Sequence, residues 1–255
     1  MNVAMSIGGF PVYWYGILYI AAFFVAAVLL PRLQHLRQLS LSKSSWSDIL
    51  TWAVMGVLVG GRVGYVLFYR FSAFLEHPLL LLDVRSGGMA SHGGFLGVTL
   101  ALLWIMRKRS WSDKLAIADV AVVPIAIGLA FGRFGNFLNQ ELYGTITSLP
   151  WGMQFDGVTG LRHPTQFYAI AKDLFIAAAC FFYLTRTRSS FVPGRALALF
   201  LMLYGVLRFV VEYFRDQTGV AMFGGLSEGQ VLTVPVFLIG VGLWYWTAYR
   251  SKGSR

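Results

Sequence analysis

Polar side chains that bind anions or move protons stand inside otherwise apolar stretches of this sequence. The densest group, 132–144, combines one Arg, two Asn, one Gln and one Glu with three glycines. If it ends a helix, 100° per residue places Arg133, Asn136 and Gln140 on one face, with Glu141 near its edge. Such a face would offer donors to phosphate or carbonyl oxygens, and a guanidinium binds phosphate bidentately. The alternative is a glycine-packed helix pair in which Glu141 neutralises Arg133.

A second group forms a stripe near the C-terminus. Tyr204, Arg208, Glu212 and Arg215 follow one another at i, i+4, i+8 and i+11, on one side of an apolar helix. This side must face the protein interior or a wet cavity. Two interpretations remain open: an Arg208–Glu212 pair that only makes the helix insertable, or a Glu212 that holds Arg208 ready for a ligand charge.

His92 lies in the glycine-rich block 87–94, and a second glycine-rich block covers 60–69. Glycines of this kind allow backbones to approach closely or a non-helical stretch to line a cavity. For His92 we prefer a base or an orienting hydrogen-bond donor over a structural histidine. The other histidines, His35, His77 and His163, are dispersed, so no metal site is predicted.

Composition identifies the kind of protein that must position these groups. The 255 residues are 57% hydrophobic and only 13% charged, with a mean hydropathy of +0.64. This is typical of an all-α, polytopic membrane protein. The net charge of +10 resides mostly in short gaps between apolar stretches, so it reflects membrane topology and not nucleic-acid binding. The single cysteine, Cys180, is interpreted as a packed thiol.

Seven segments are long and apolar enough to cross about 30 Å of hydrocarbon. They cover about 12–31, 48–69, 88–106, 116–134, 165–184, 195–214 and 230–248. Lys and Arg concentrate in the gaps after the first, third, fifth and seventh segments, which the positive-inside rule places in the cytoplasm. The N-terminus is therefore outside and the C-terminus inside, and the first segment is a retained helix instead of a signal peptide. We expect one integral membrane domain over 1–255 with a short external excursion at about 145–162.

This topology gives the intramembrane arginines a common depth. Arg62, Arg133 and Arg208 fall in the outer leaflet, with Tyr15 and His92 near the outer ends of their segments. Arginine inside a membrane is costly, so three at one depth suggest a shared anionic partner or paired carboxylates. Lipid phosphate lies at about this depth.

At these residues the chain resembles prolipoprotein diacylglyceryl transferases over nearly its whole length. The family pattern G-R-x-G-N-F-x-N-x-E-x-x-G is matched in full at 132–144. Supporting matches lie at 14–16, 60–69, 87–94, 162–168, 208–215 and 226–230. Two departures are Ala90-Ser91, where some members carry Ser-Phe, and Ala169, where many carry Glu. The external arm after Gly144 is also short.

The resemblance implies that diacylglyceryl is transferred from phosphatidylglycerol to the lipobox cysteine of a prolipoprotein signal peptide, with glycerol phosphate released. It implies catalytic roles for Tyr15, His92, Arg133, Glu141 and Arg208, with His92 the available base for the thiol. Together with the depth of the arginines, it implies phosphatidylglycerol binding by Arg62, Arg133, Asn136, Asn139, Gly144, Arg208 and Glu212. No metal or organic cofactor is expected, the partners are membrane lipid and prolipoprotein, and the location is the bacterial inner membrane.

Two other classes of protein use intramembrane charges. A lipid or small-molecule transporter would carry them along a path through the membrane, whereas here they cluster toward one face. A lipid-binding scaffold would need the arginines but not His92.

The charge asymmetry of the loops gives a direct test of topology. Reporter fusions near residues 40, 110 and 188 and at the C-terminus should report a cytoplasmic location, because the flanking Lys and Arg resist translocation. A C-terminus found outside would contradict both the seven-segment count and the common depth of the arginines.

Overall fold

The computed structural model describes residues 3–8, 10–83, 87–218 and 222–253, and these residues are mostly helical. The helices are α1 Trp14–Leu33, α2 Lys43–Tyr69, α3 Phe71–Glu76, α4 Ser91–Ile105, α5 Trp111–Leu138, α6 Thr165–Arg186, α7 Arg195–Glu212 and α8 Glu228–Gly253. Two 3-10 segments cover Gln34–Arg37 and Pro78–Leu82. Four short strands are β1 Val3–Ile7, β2 Phe10–Tyr13, β3 Met222–Phe223 and β4 Leu226–Ser227.

Each of the seven predicted apolar segments coincides with a helix. Five helical stretches are long and apolar enough to cross a membrane: Trp14–Arg37, Lys43–Tyr69, Trp111–Leu138, Thr165–Arg186 and Glu228–Arg250. The other two differ for physical reasons. Helix α4 has only 15 residues, about 22 Å of rise, and α7 carries Arg195, Arg208 and Glu212 within 18 residues. The described residues therefore form a helical, multi-pass type of chain with five clear spans.

The small β elements were not predicted. Strands β1 and β2 pair antiparallel immediately before α1, with Met5 opposite Val12 and Ile7 opposite Phe10. Strands β3 and β4 form a still shorter hairpin before α8. Strands of two to five residues are too short to show a clear period of two, so no sequence pattern marks them.

The chain divides into two compact units, Met1–Ser40 with Leu115–Arg255, and Leu41–Lys114. In the Leu41–Lys114 unit, α2 and α4 pack through glycines spaced by four residues. A Cβ on Gly56 would lie 2.7 Å from the Gly97 carbonyl oxygen, and one on Gly64 would lie 2.7 Å from the Cα of Gly93. The predicted close approach of backbones is confirmed here, because no side chain fits between the two helices.

In the other unit, α7 packs against both α6 and α8. A buried ion pair lies beside the start of α7. Arg37 Nε lies 3.2 Å from Asp119 Oδ2, and both side chains are fully buried. Asp119 also accepts hydrogen bonds from the amides of Gly194 and Leu197, at the start of α7. This carboxylate therefore caps α7 while it neutralises Arg37. Cys180 lies on α6 and is fully buried, as expected for a packed thiol.

Candidate anion-binding site

The end of α5, the start of α6 and the end of α7 surround a small, partly open cavity. All three elements belong to the unit that contains residues 115–255. The lining residues are Arg133, Asn136, Leu142, Thr165, Gln166, Ala169, Arg208, Val211 and Arg215. We call this space the arginine cavity. It brings together three guanidinium groups that are separated by up to 82 positions in the sequence.

One carboxylate serves two of these arginines. Glu212 is 2% exposed and forms an ion pair with Arg208 on the same helix. Its Oε1 lies 3.5 Å from Nη1 of Arg215. Gln217 and the Ser227 hydroxyl also donate to Glu212, each at 3.4 Å, which fixes the carboxylate in place. The predicted pairing of Arg208 with Glu212 is confirmed.

Arg133 has no such carboxylate among the described residues. Its Nη1 donates to Asn136 Oδ1 at 3.4 Å, a long and weak hydrogen bond. Glu141, the neutralising partner considered from the sequence, is engaged elsewhere. Its Oε1 accepts hydrogen bonds from the Tyr15 hydroxyl and from Asn136 Nδ2, the latter at 2.9 Å. The arginine cavity therefore holds three guanidinium groups balanced by one carboxylate.

Asn136 connects the cavity to α1. Its Nδ2 donates to the Tyr15 hydroxyl as well as to Glu141, while its Oδ1 accepts from Arg133. Tyr15 can lie this close because Gly135 has no side chain: a Cβ there would stand 2.9 Å from the tyrosine ring. The glycine of the motif thus makes room for a tyrosine that is more than a hundred residues away in the sequence.

The chain turns sharply after α5 to bring Glu141 back under Asn136. Gln140 and Leu142 have positive φ angles of 58° and 60°, a conformation that is unfavourable for residues with a side chain. Two residues at the start of α6 hold this turn. Gln166 Nε2 donates to the Glu141 carbonyl at 2.7 Å, and the Thr165 hydroxyl donates to the Leu142 carbonyl at 2.6 Å.

Gly144 and Asn139, both predicted to bind lipid, are not among the residues that line the cavity. The Gly144 amide donates to the His163 carbonyl at 2.8 Å, and a Cβ at Gly144 would lie 2.5 Å from that of His163. Gly144 also forms a bridge with Arg215. It therefore lets three backbone segments meet. Asn139 directly follows α5, and its main-chain amide donates to the Gly135 carbonyl at 3.0 Å.

Arg62, also predicted to bind lipid, makes many contacts with the main chain. It lies in the Leu41–Lys114 unit and is 4% exposed. All five of its N–H groups donate to main-chain carbonyls, those of Leu80, Leu81, Asp83, Gly87 and Gly88. A guanidinium has five donors in total, so none is left for a phosphate. Arg62 therefore holds the main chain at 80–83 and at 87–88, and its predicted role in lipid binding stays a prediction.

His92 stands in the first turn of α4, in the same unit as Arg62, and its side chain is exposed. An exposed imidazole in a glycine-rich turn is accessible to a substrate.

Sequence reasoning missed Arg215, Thr165 and Gln166 as cavity residues. Arg215 belongs to the polar stripe, and its position seven residues after Arg208 indicates that the two side chains share one side of the helix. In the sequence, Thr165 and Gln166 are distinguished only by the supporting match at 162–168. Their cavity role depends on how α6 meets the turn after α5, which no local pattern encodes.

The fold and the cavity define a class of protein: a multi-pass helical chain with a cavity lined by three arginines. The family model for prolipoprotein diacylglyceryl transferase matches residues 2–246. A phosphatidylglycerol–prolipoprotein diacylglyceryl transferase of Legionella pneumophila (strain Lens) is 41% identical, with 95% of each chain covered. One of Acinetobacter baylyi is 43% identical over 98% of this chain and 93% of the relative, and one of Pseudomonas putida (strain F1) is 40% identical over 98% and 94%. The chain belongs to the prolipoprotein diacylglyceryl transferase family.

The contacts of Arg62 lead to a prediction. An Arg62→Lys variant keeps the charge but has three donors in place of five, so it cannot hold all five carbonyls. We expect faster hydrogen exchange and proteolysis at 78–83 and a lower melting temperature in detergent, with phosphatidylglycerol affinity unchanged. A loss of lipid affinity without loosening of this segment would support a binding role for Arg62.

Proposed function

We propose that this protein transfers the diacylglyceryl group of phosphatidylglycerol to the lipobox cysteine of prolipoproteins, the first step of bacterial lipoprotein maturation. The cysteine sulfur forms a bond to the terminal glyceryl carbon, and the bond from that carbon to the phosphate oxygen breaks. Glycerol phosphate leaves with the electron pair, and the product is a thioether. Family membership and the names of the relatives support this reaction.

The observation that carries the proposal is the charge imbalance of the arginine cavity. Arg208 and Arg215 share Glu212, whereas Arg133 has only the long contact with Asn136. A phosphate would supply the missing negative charge and could accept the planar fork of Arg133. The same groups would stabilise the charge that develops on the leaving phosphate oxygen.

The acceptor thiol must lose its proton, since a free cysteine has a pKa of about 8.5 and the thiolate is the nucleophile. We assign this step to His92, whose imidazole is exposed at the start of α4. Tyr15 and Glu141 act with Asn136 as a hydrogen-bonded group that orients the wall of the cavity beside Arg133. Asn139 and Gly144 support this wall through the backbone.

The proposed setting is the bacterial inner membrane, with 1–255 acting as one integral membrane domain. Helices α4 and α7 would cross together with the five longer spans, giving seven crossings, an outside N-terminus and a cytoplasmic C-terminus. The charges of α7 are compatible with this because Arg208 lines the arginine cavity and pairs with Glu212, whose side chain is buried. The loop at 145–162 is then external.

The direct test is a transfer assay. Purified protein is incubated with phosphatidylglycerol and a synthetic lipobox peptide, and the peptide is examined by mass spectrometry. We expect a mass gain of one diacylglyceryl group, with one glycerol phosphate released per modified peptide. A transporter or a lipid-binding scaffold would give neither product.

Replacement of Arg133 by Lys tests the bidentate contact with phosphate. The ammonium keeps the charge but loses the planar fork, so Arg133→Lys should reduce turnover nearly as much as Arg133→Ala. The matched control is Arg188→Lys, at an exposed position after α6, and its turnover should equal that of the parent chain. Near-normal turnover of Arg133→Lys would show that the fork is not needed.

Loss of His92 should separate chemistry from binding. For a general base, His92→Gln should reduce turnover by about 10²- to 10⁴-fold, while lipid affinity changes little because the arginines remain. The residual rate should rise with pH toward about 8.5, since the thiol then ionises unaided. If lipid binding and protein level fall together with activity, the histidine is structural and the base must be sought at Glu141 or Tyr15.

A further inference from the structure

The residues 226–230 match the family pattern, but they are not among the residues that line the arginine cavity. They form strand β4 and the start of α8, which begins at Glu228. Ser227 is 1% exposed, and its hydroxyl donates to Glu212 Oε1 at 3.4 Å. The start of α8 therefore contacts the carboxylate that pairs with two of the cavity arginines.

A reciprocal pair of hydrogen bonds fixes Ser227 in this place. Its hydroxyl oxygen accepts from the main-chain amide of Gln230 at 3.2 Å, and the side-chain oxygen of Gln230 accepts from the Ser227 amide at 3.0 Å. This arrangement is a capping box, which satisfies two amides at a helix start. Because the hydroxyl proton goes to Glu212, the side chain that begins α8 also holds the carboxylate.

Gly229, in the same turn, stands next to the ion pair itself. A Cβ at this position would lie 2.6 Å from Glu212 Oε1 and 3.3 Å from Arg208 Nη2. The first distance is too short for a real Cβ, so something must move. The carboxylate cannot yield freely, because both arginines, Gln217 and Ser227 hold it. A methyl group at 229 would therefore disturb the ion pair.

The backbone itself does not require glycine at 229. Gly229 is not among the glycines with a positive φ angle, so any residue could adopt its conformation. Glycine is also less favourable than alanine inside a helix. The space that Glu212 occupies is what accounts for a glycine in the first turn of α8.

We propose that Gly229 and Ser227 are positioning residues for the phosphate site: they set where the Glu212 carboxylate stands and thereby where Arg208 points. The inference rests on the proposed function and extends it to residues outside the cavity wall. A displaced carboxylate shifts the guanidinium that it holds, and a misplaced guanidinium stabilises the leaving phosphate oxygen less well.

Gly229→Ala is the first test, in the transfer assay with phosphatidylglycerol and a lipobox peptide. We expect kcat to fall by about 10- to 100-fold, with the KM for the peptide unchanged. The matched control is Gly242→Ala on the same helix, because a Cβ there would meet nothing within 4 Å. Its kcat should equal that of the parent chain. A parental kcat for Gly229→Ala would overturn the proposal.

A second control separates positioning from loosened packing of α7 against α8. A Cβ on Gly240 would lie 2.9 Å from the main-chain nitrogen of Met202 on α7, about 16 Å along α8 from Gly229. Gly240→Ala should therefore lower the melting temperature in detergent while the folded protein keeps its kcat. If Gly240→Ala lowers kcat as much as Gly229→Ala does, the effect is one of packing and the proposal is wrong.

A shorter carboxylate should remove the conflict at 229. Glu212→Asp alone is expected to lower kcat, since the carboxylate is drawn back from Arg208. In that background the methyl group of Gly229→Ala has room, so it should cause little further loss. Two losses that multiply in the double variant would show that position 229 does not act through Glu212.

Replacement of Ser227 distinguishes positioning from helix capping alone. Aspartate caps a helix about as well as serine, whereas alanine does not. Aspartate has no proton to donate to Glu212 and would place a like charge beside it, so kcat of Ser227→Asp should fall below that of Ser227→Ala. An equal or higher kcat for Ser227→Asp would show that Ser227 only begins α8. If the parent chain modifies no peptide, the proposed reaction is contradicted instead.

Discussion

Glu212 determines what the arginines of the cavity can do. It is the only carboxylate paired with them among the described residues, and its two oxygens are divided between Arg208 and Arg215. Arg133 is left with the amide oxygen of Asn136. A partly buried guanidinium without a countercharge is unfavourable, because its desolvation is not offset by an ion pair. The three guanidinium groups therefore exceed the carboxylate paired with them, and an anionic ligand would offset the difference.

The position of Arg133 in turn depends on the turn that follows α5. Gln140 and Leu142 adopt left-handed conformations there, which cost free energy for residues other than glycine. Hydrogen bonds from Thr165 and Gln166 to the carbonyls of this turn offset that cost. The start of α6 thus fixes the wall of the site as well as lining it. This explains why polar residues are needed at the entry to an otherwise apolar helix.

The sequence predicts the helices well because apolar runs of this length have few alternatives in a membrane. It also identifies Arg133 and Arg208 as special, since intramembrane arginines are rare and costly. It cannot distinguish Arg133 from Arg62, which has the same side chain at a similar predicted depth. The difference lies in the main-chain carbonyls at 80–83 and 87–88 that accept from Arg62, and no periodic pattern in the sequence encodes these contacts.

The departure from the family pattern at Ala169 bears on the same charge balance. Ala169 lines the arginine cavity and is 5% exposed, so a carboxylate at this position would face the guanidinium groups and offset part of their charge. The next charged residues along α6 do not replace it. Lys172 and Asp173 are buried and paired with each other, with the ammonium 4.4 Å from the centre of the Tyr204 ring. Because this pair adds no net charge, Glu212 stays the one carboxylate paired with the three arginines among the described residues.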